Sequence, residues 1–274
     1  MRRKAATLAC VLAVRLLLTA QSNPDADAPD WVRALSPQDL SALSQRAKEG
    51  SSKDQFSMGY LSENGYWLPK NFEEAREWYE KAAAQADPPA ENNLGMMYLK
   101  GEGVSKDAAT ALRWFRRASD HGHVMAPFNM AAIYLNGSGV KQDITEAVKW
   151  LQVSAERGYD LAQYKLGVAY ANGWGVTTNH EEAVRWFREA SEHHNPLAQL
   201  ELGKCYLHGS GVGKDPVAAY MWFQLAEAQH NEDAHIEMES LRKTLSDTQQ
   251  EEGSRRSVEW IKAHCGKSSQ PEHQ

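Results

Sequence analysis

Between residues 90 and 125 the apolar and small positions fall into two helical stripes separated by a break. Ala90, Leu94, Met97 and Tyr98 recur at the spacing of one helix face and predict a first helix. The segment Gly101 to Val104, GEGV, interrupts it, since glycine enters left-handed backbone conformations without a steric cost. Asp107 then reads as an N-cap whose carboxylate accepts from free backbone N–H groups. Ala111, Trp114, Phe115 and Ala118 mark the buried face of a second helix, which Gly122 can end. The unit is a helical hairpin.

The pattern then repeats without insertion. Trp78, Trp114, Trp150, Trp186 and Trp222 are spaced by 36 residues, and so are Gly59, Gly95, Ala131, Gly167 and Gly203. Ala75, Ala111, Ala147, Ala183 and Ala219 keep the same step, as do Tyr98, Tyr134, Tyr170 and Tyr206. The loops GEGV, GSGV (Gly137 to Val140), GWGV (Gly173 to Val176) and GSGV (Gly209 to Val212) follow the register. Five units result, 54–89, 90–125, 126–161, 162–197 and 198–233. One hairpin buries too little to offset backbone ordering at roughly 1 to 2 kcal/mol per residue, so neighbours must stack. Trp and Tyr each bury roughly 150 to 250 Å². The small column is expected to make room for the Trp rings, with Gly59, Gly95, Gly167, Gly203 and the five indoles as structural residues.

These columns carry a resemblance. The order Leu-Gly, Tyr, GxGV, Asp, Ala, Trp, paired small residues and Gly over 54–233 resembles the Sel-1-like repeat (SLR), a tetratricopeptide-related family. The resemblance implies an all-α, right-handed α-solenoid of helix-turn-helix units that acts as a protein-protein interaction scaffold, often at membranes or envelopes. Departures sit in the first unit, with Trp67 in place of the second loop glycine, Ser62 in place of Tyr and Asn71 in place of Asp. Asn179 replaces Asp in the fourth and can still cap.

The flanks read as caps. Ser36-Pro37-Gln38-Asp39 opens a helix that ends near Gly50, giving an N-terminal capping helix within 36–53. Ser246-Asp247-Thr248-Gln249 has the form of a capping box within C-terminal capping helices at 234–265, before a flexible polar tail at 266–274. At the other end Arg2, Arg3 and Lys4 precede the apolar run Ala5 to Ala20, which reads as a signal peptide (1–20) followed by a linker (21–35). The expected destination is the bacterial periplasm or the exterior. The Arg-bearing, acid-free leader also fits a mitochondrial presequence. No second apolar run is long enough to span a bilayer.

Loss of residues 1–20 removes Arg2, Arg3, Lys4 and Arg15 and no acid, so the net charge of -6 becomes -10. An acidic body argues against nucleic acid and favours a basic partner. Cys205 reads as a buried core thiol, or as the partner of Cys265 in a disulfide to the final helix; spacing leaves both open.

Nothing in the chain demands catalysis. Gly209 to Asp215 superficially resembles a phosphate-binding loop, but His208 stands at its first glycine and Asp215 at its metal-binding hydroxyl. His121, His123, His193 and His194 lie in interhelical turns without metal-site spacing, so no metal or cofactor is expected. What varies is one face of each first helix: Ser57, Tyr60 and Asn64; Asn93, Met96 and Lys100; Asn129, Ala132 and Asn136; Lys165, Val168 and Asn172; Glu201, Lys204 and His208. These should line a concave groove for a peptide or partner protein, with Trp174 as an added contact. The expected function is a non-catalytic adaptor. The alternatives are a β-lactam-binding or hydrolysing enzyme, as implied by cysteine-rich members of the family whose cysteine pairs are absent here, and a binder of cell-wall glycan or peptide.

Overall fold

A computed structural model describes residues 28–264. Among the described residues there are fourteen helices and no strand, so the all-α expectation holds. The leader at 1–20, the tail at 266–274 and Cys265, hence the proposed Cys205–Cys265 bridge, lie outside the described residues. The chain divides into two compact units after His123.

Unit 1 contains α1 (Asp30–Arg33), α2 (Pro37–Glu49) and two hairpins, α3 (Ser52–Asn64) with α4 (Phe72–Ala83) and α5 (Pro88–Lys100) with α6 (Ala108–Asp120). Unit 2 contains three hairpins: α7 (Ala126–Asn136) with α8 (Ile144–Glu156), α9 (Asp160–Asn172) with α10 (His180–Glu192), and α11 (Pro196–His208) with α12 (Pro216–Glu227). It closes with α13 (Glu232–Arg242) and α14 (Asp247–His264). Within unit 1, from α2 on, and within unit 2, helices pack mainly on their sequence neighbours; α14 instead returns onto α12.

The hairpins share one loop device. The side chains of Asn71, Asp107, Asp143, Asn179 and Asp215 accept N–H groups of the second helix's first turn at 2.9 to 3.1 Å. Their own N–H groups donate at 2.8 to 3.0 Å to the carbonyls of Ser62, Tyr98, Tyr134, Tyr170 and Tyr206, tying the loop to the first helix. Because that bond uses the backbone, Ser62 serves as well as Tyr. The second loop glycine is explained by close approach: at Gly175, φ is +70° and a Cβ would lie 2.7 Å from the carbonyl oxygen of Ile144, the first residue of α8. In the first hairpin Trp67 holds a positive φ of 58° at this position, and its indole donates to the Val32 carbonyl at 3.0 Å.

That bond reveals a departure from the sequence reading. The stretch assigned to a linker, 21–35, belongs from residue 28 onward to the cap: Ala28 and Val32 are buried with Leu40, Leu43, Ala47 and Leu61. α1 was not anticipated because four residues are too short for periodicity to register.

A second correction concerns the glycine column. Gly59, Gly95, Gly167 and Gly203 do not face the indoles; they face Tyr79, Phe115, Phe187 and Phe223, one residue further on. A Cβ at Gly59, Gly95 or Gly167 would lie 2.6 Å from a ring carbon of its partner, and at Gly203 closer still. These aromatics are fully buried within their own hairpins. Trp78, Trp114 and Trp222 pack instead on the element that precedes their own hairpin. Trp78 belongs to the cluster built on α2, and Trp222 to the cluster containing Ala183, Val184, Phe187 and Ala190 of α10. Trp78, Trp150, Trp186 and Trp222 are buried, whereas Trp114 is half-buried under the Arg117 guanidinium at 4.7 Å.

Polar staples join successive hairpins too. Gln55 Nε2 donates to the Ala47 carbonyl of α2 at 3.0 Å, and Gln163 Nε2 to the Ala155 carbonyl of α8 at 3.2 Å. The second hairpin has Glu91 in this column, fully buried, and a carboxylate has no proton to donate. Arg117 acts for it: its guanidinium donates to the Ala83 carbonyl at 3.1 Å and pairs with Glu91 at 2.9 Å. His121 Nδ1 contacts the other carboxylate oxygen at 2.7 Å. At the end of unit 2, His235 meets Glu227 at 2.6 Å in the same i, i+8 relation.

Candidate functional site

In unit 2 the varied faces of α7, α9 and α11 are accessible to solvent. Asn136, Lys165, Asn172 and His208 are exposed, while Asn129, Glu201 and Lys204 are half-buried. Asn172 Nδ2 donates back to the Val168 carbonyl at 2.9 Å, which holds the amide against its own helix. Lys204 pairs with Glu201 at 2.9 Å, so the two charges largely neutralise each other. Trp174 is 58% exposed, next to the Gly175 that packs on Ile144, itself 42% exposed. Both are large apolar side chains left exposed in this unit.

In unit 1, Tyr60 and Asn93 are half-buried, and Asn64 and Lys100 are exposed. Asn64 Nδ2 donates to the Tyr60 carbonyl at 2.9 Å, repeating the Asn172 arrangement. Lys100 lies 3.5 Å from Glu102. Tyr60 sits in an aromatic group: its ring centroid is 5.8 Å from Trp31, 6.4 Å from Phe56 and 6.2 Å from Tyr66. Phe56 continues to Tyr79 at 5.7 Å.

A carboxylate stands against this group. The hydroxyl of buried Tyr79 donates to Glu63 Oε2 at 2.6 Å and accepts from Asn93 Nδ2 at 3.0 Å. Burial pushes the Glu63 carboxyl above its ordinary range, although the Tyr79 hydrogen bond opposes the shift. Burial, then the Glu63 charge, drives the Tyr79 hydroxyl well upward. Tyr60 is raised by burial, then by Tyr66 and Glu63. Glu63, Trp31, Tyr66 and Tyr79 escaped the sequence reading. A signal was present: Glu63 shares its column with Leu99, Leu135, Ala171 and Leu207, and Tyr79 with Phe115, Leu151, Phe187 and Phe223. Both exceptions fall in one repeat.

The remaining candidates for chemistry are quiet. Among the described residues no group of His, Cys, Asp and Glu could hold a metal ion. Cys205 is half-buried, and burial pushes its thiol up to about 11, so it stays protonated at neutral pH. Burial pushes the His123 imidazole down to about 4. Since the folded value lies below the ordinary 6.5, the contribution of His123 to stability is full above about pH 6.5 and is lost as pH falls toward 4. An NMR titration should show its ring protons shifting near pH 4; a midpoint near 6.5 would show the ring to be solvated.

Five helical hairpins in series, alike in caps and loop closure, define a helical-repeat protein. The chain belongs to the Sel1 repeat family: the family model matches at 52–87, 88–123, 124–159, 160–195 and 196–231, each starting two residues before the units counted from sequence. Sel1 repeat proteins are generally interaction scaffolds, typically non-catalytic. Similar solved structures include a protective antigen of uropathogenic Escherichia coli with an SLR fold, 32% identical with a TM-score of 0.73 over 84% of this chain and 50% of that one. A Sel1 repeat protein from Oxalobacter formigenes is 32% identical with a TM-score of 0.70 over 74% of this chain and 60% of that one. A curated relative is the ERAD-associated E3 ubiquitin-protein ligase component HRD3B of Arabidopsis thaliana, 48% identical over 54 residues, 19% of this chain and 9% of that protein. The chain thus spans less than two thirds of each of these relatives.

Proposed function

We propose that this protein is a non-catalytic adaptor, exported from the cytoplasm, that holds an extended peptide or partner protein against the first-helix faces of its repeats. One observation carries the reading. The invariant columns are consumed by packing, capping and loop closure, whereas Lys165, Asn172, Glu201, Lys204 and His208 vary between repeats and remain accessible. A surface whose side chains differ among repeats on a constant frame suits recognition of a sequence. Export rests on the sequence of residues 1–20; among the described residues no helix is long and apolar enough to cross a membrane.

The test is crosslinked recovery of native partners by the wild type and by the triple variant Asn129→Ala, Lys165→Ala, Asn172→Ala, with the mature amino terminus read from the same sample. The variant should lose its partner while keeping its helical ellipticity. Undiminished recovery, or steady nitrocefin turnover by the purified protein, overturns the reading.

A further inference from the structure

The aromatic group of unit 1 is richer than an end cap requires. To close an array, apolar residues suffice, and the other repeats use Phe or Leu at the position of Tyr79 and Leu or Ala at that of Glu63. Placing a carboxylate against buried aromatic surface costs solvation that packing does not return. Here the carboxylate is also held: Asn93 orients the Tyr79 hydroxyl, and the hydroxyl fixes Glu63 Oε2.

The cations whose fields reach it make no bond to it. Glu63 forms no ion pair among the described residues. The two lysines whose fields reach it are engaged elsewhere, Lys100 with Glu102 at 3.5 Å and Lys70 over the Phe72 ring at 4.6 Å. Trp31 is 36% exposed and Tyr66 is half-buried, so the aromatic group presents ring surface to solvent, and Tyr60, on the same helix as Glu63, lies close enough to feel its charge. Aromatic faces attract cations through their quadrupole, most strongly where water is partly excluded. A carboxylate with aromatic walls fits an ammonium or guanidinium carried on an apolar stem.

We propose that Trp31, Tyr60, Tyr66 and Glu63 form a pocket for a lysine or arginine side chain of the bound polypeptide. That the cation arrives on a polypeptide rests on the adaptor reading; the pocket's preference for a cation does not. The acidic net charge of -6 favours the approach of such a partner.

The test uses fluorescein-labelled, amidated ten-residue peptides alternating Ser with Lys, norleucine or Glu, titrated with the full chain by anisotropy. The Ser-Lys peptide should bind, and Glu63→Gln should weaken it at least tenfold, because Gln keeps an oxygen for the Tyr79 hydroxyl but loses the charge. Trp31→Leu should weaken it severalfold. Glu73→Gln, which removes an exposed charge on α4, should change it less than twofold. Helical ellipticity checks folding of each variant. Absence of Ser-Lys binding, equal binding by Glu63→Gln, or equal binding of the norleucine or Glu peptide overturns the proposal. If Glu63→Gln is silent while the unit 2 triple variant loses its native partner, the adaptor reading stands and the pocket falls. If Glu63→Gln abolishes Ser-Lys binding while the triple variant keeps its partner, the pocket stands and the unit 2 surface falls.

Discussion

Arg117→Ala is expected to lower the unfolding free energy of the chain by about 2 kcal/mol, less than the ~3 to 5 kcal/mol for breaking a fully buried ion pair, because the guanidinium is itself half exposed. The cause is what the substitution leaves behind. Glu91 is fully buried, and without Arg117 its charge keeps His121 as the one partner shown. The Ala83 carbonyl loses its donor at the same time. Glu91→Gln should rescue most of the loss, because a glutamine there can donate to Ala83 as Gln55 does to Ala47 and Gln163 to Ala155. The double variant is expected within about 1 kcal/mol of wild type, the net worth of an ordinary hydrogen bond. Urea denaturation followed by helix ellipticity measures wild type, both single variants and the double variant. An equal cost of Arg117→Ala in the wild-type and Glu91→Gln backgrounds would show that the guanidinium does not compensate the carboxylate.

That staple also shows where sequence reading reached its limit. The hairpins, their caps and the loop glycines were legible because each depends on residues within a few positions of one another. Asp107 must precede α6 to cap it, and Gly101 must follow α5 to end it. The exchange of Glu91 and Arg117 for a glutamine was not legible, since it links residues 26 positions apart and shows as an oddity in one column only. The candidate site divides the same way. Tyr60, Asn64 and Asn93 follow from helical phase, but Trp31 reaches Tyr60 through a four-residue helix that no periodicity announces. Glu63 was passed over because it lies off the predicted face. Its significance lies in the Tyr79 hydroxyl opposite, where three other repeats carry a phenylalanine.

The glycine column yields the second large effect, and the third repeat supplies its control. Gly95→Ala should destabilise the chain by about 1 to 3 kcal/mol, the usual cost of overpacking a filled core, although alanine is the better helix former by about 1 kcal/mol. The new Cβ would stand 2.6, 2.7 and 3.0 Å from three ring carbons of Phe115, which is fully buried and has nowhere to move. Where the column holds alanine, at Ala131, the opposing column holds Leu151 in place of an aromatic. Both are buried, so that hairpin closes with volume shifted from one helix to the other. Phe115→Leu alone should open a small void and cost about 1 kcal/mol. Combined, Gly95→Ala and Phe115→Leu copy the third repeat, and the pair should cost less than the sum of the singles by about 1 to 2 kcal/mol, as expected for residues in contact. A double-mutant cycle by urea denaturation gives this coupling directly. Strict additivity would mean that the ring yields to the methyl group, and that glycine is kept at this column for some reason other than the aromatic facing it.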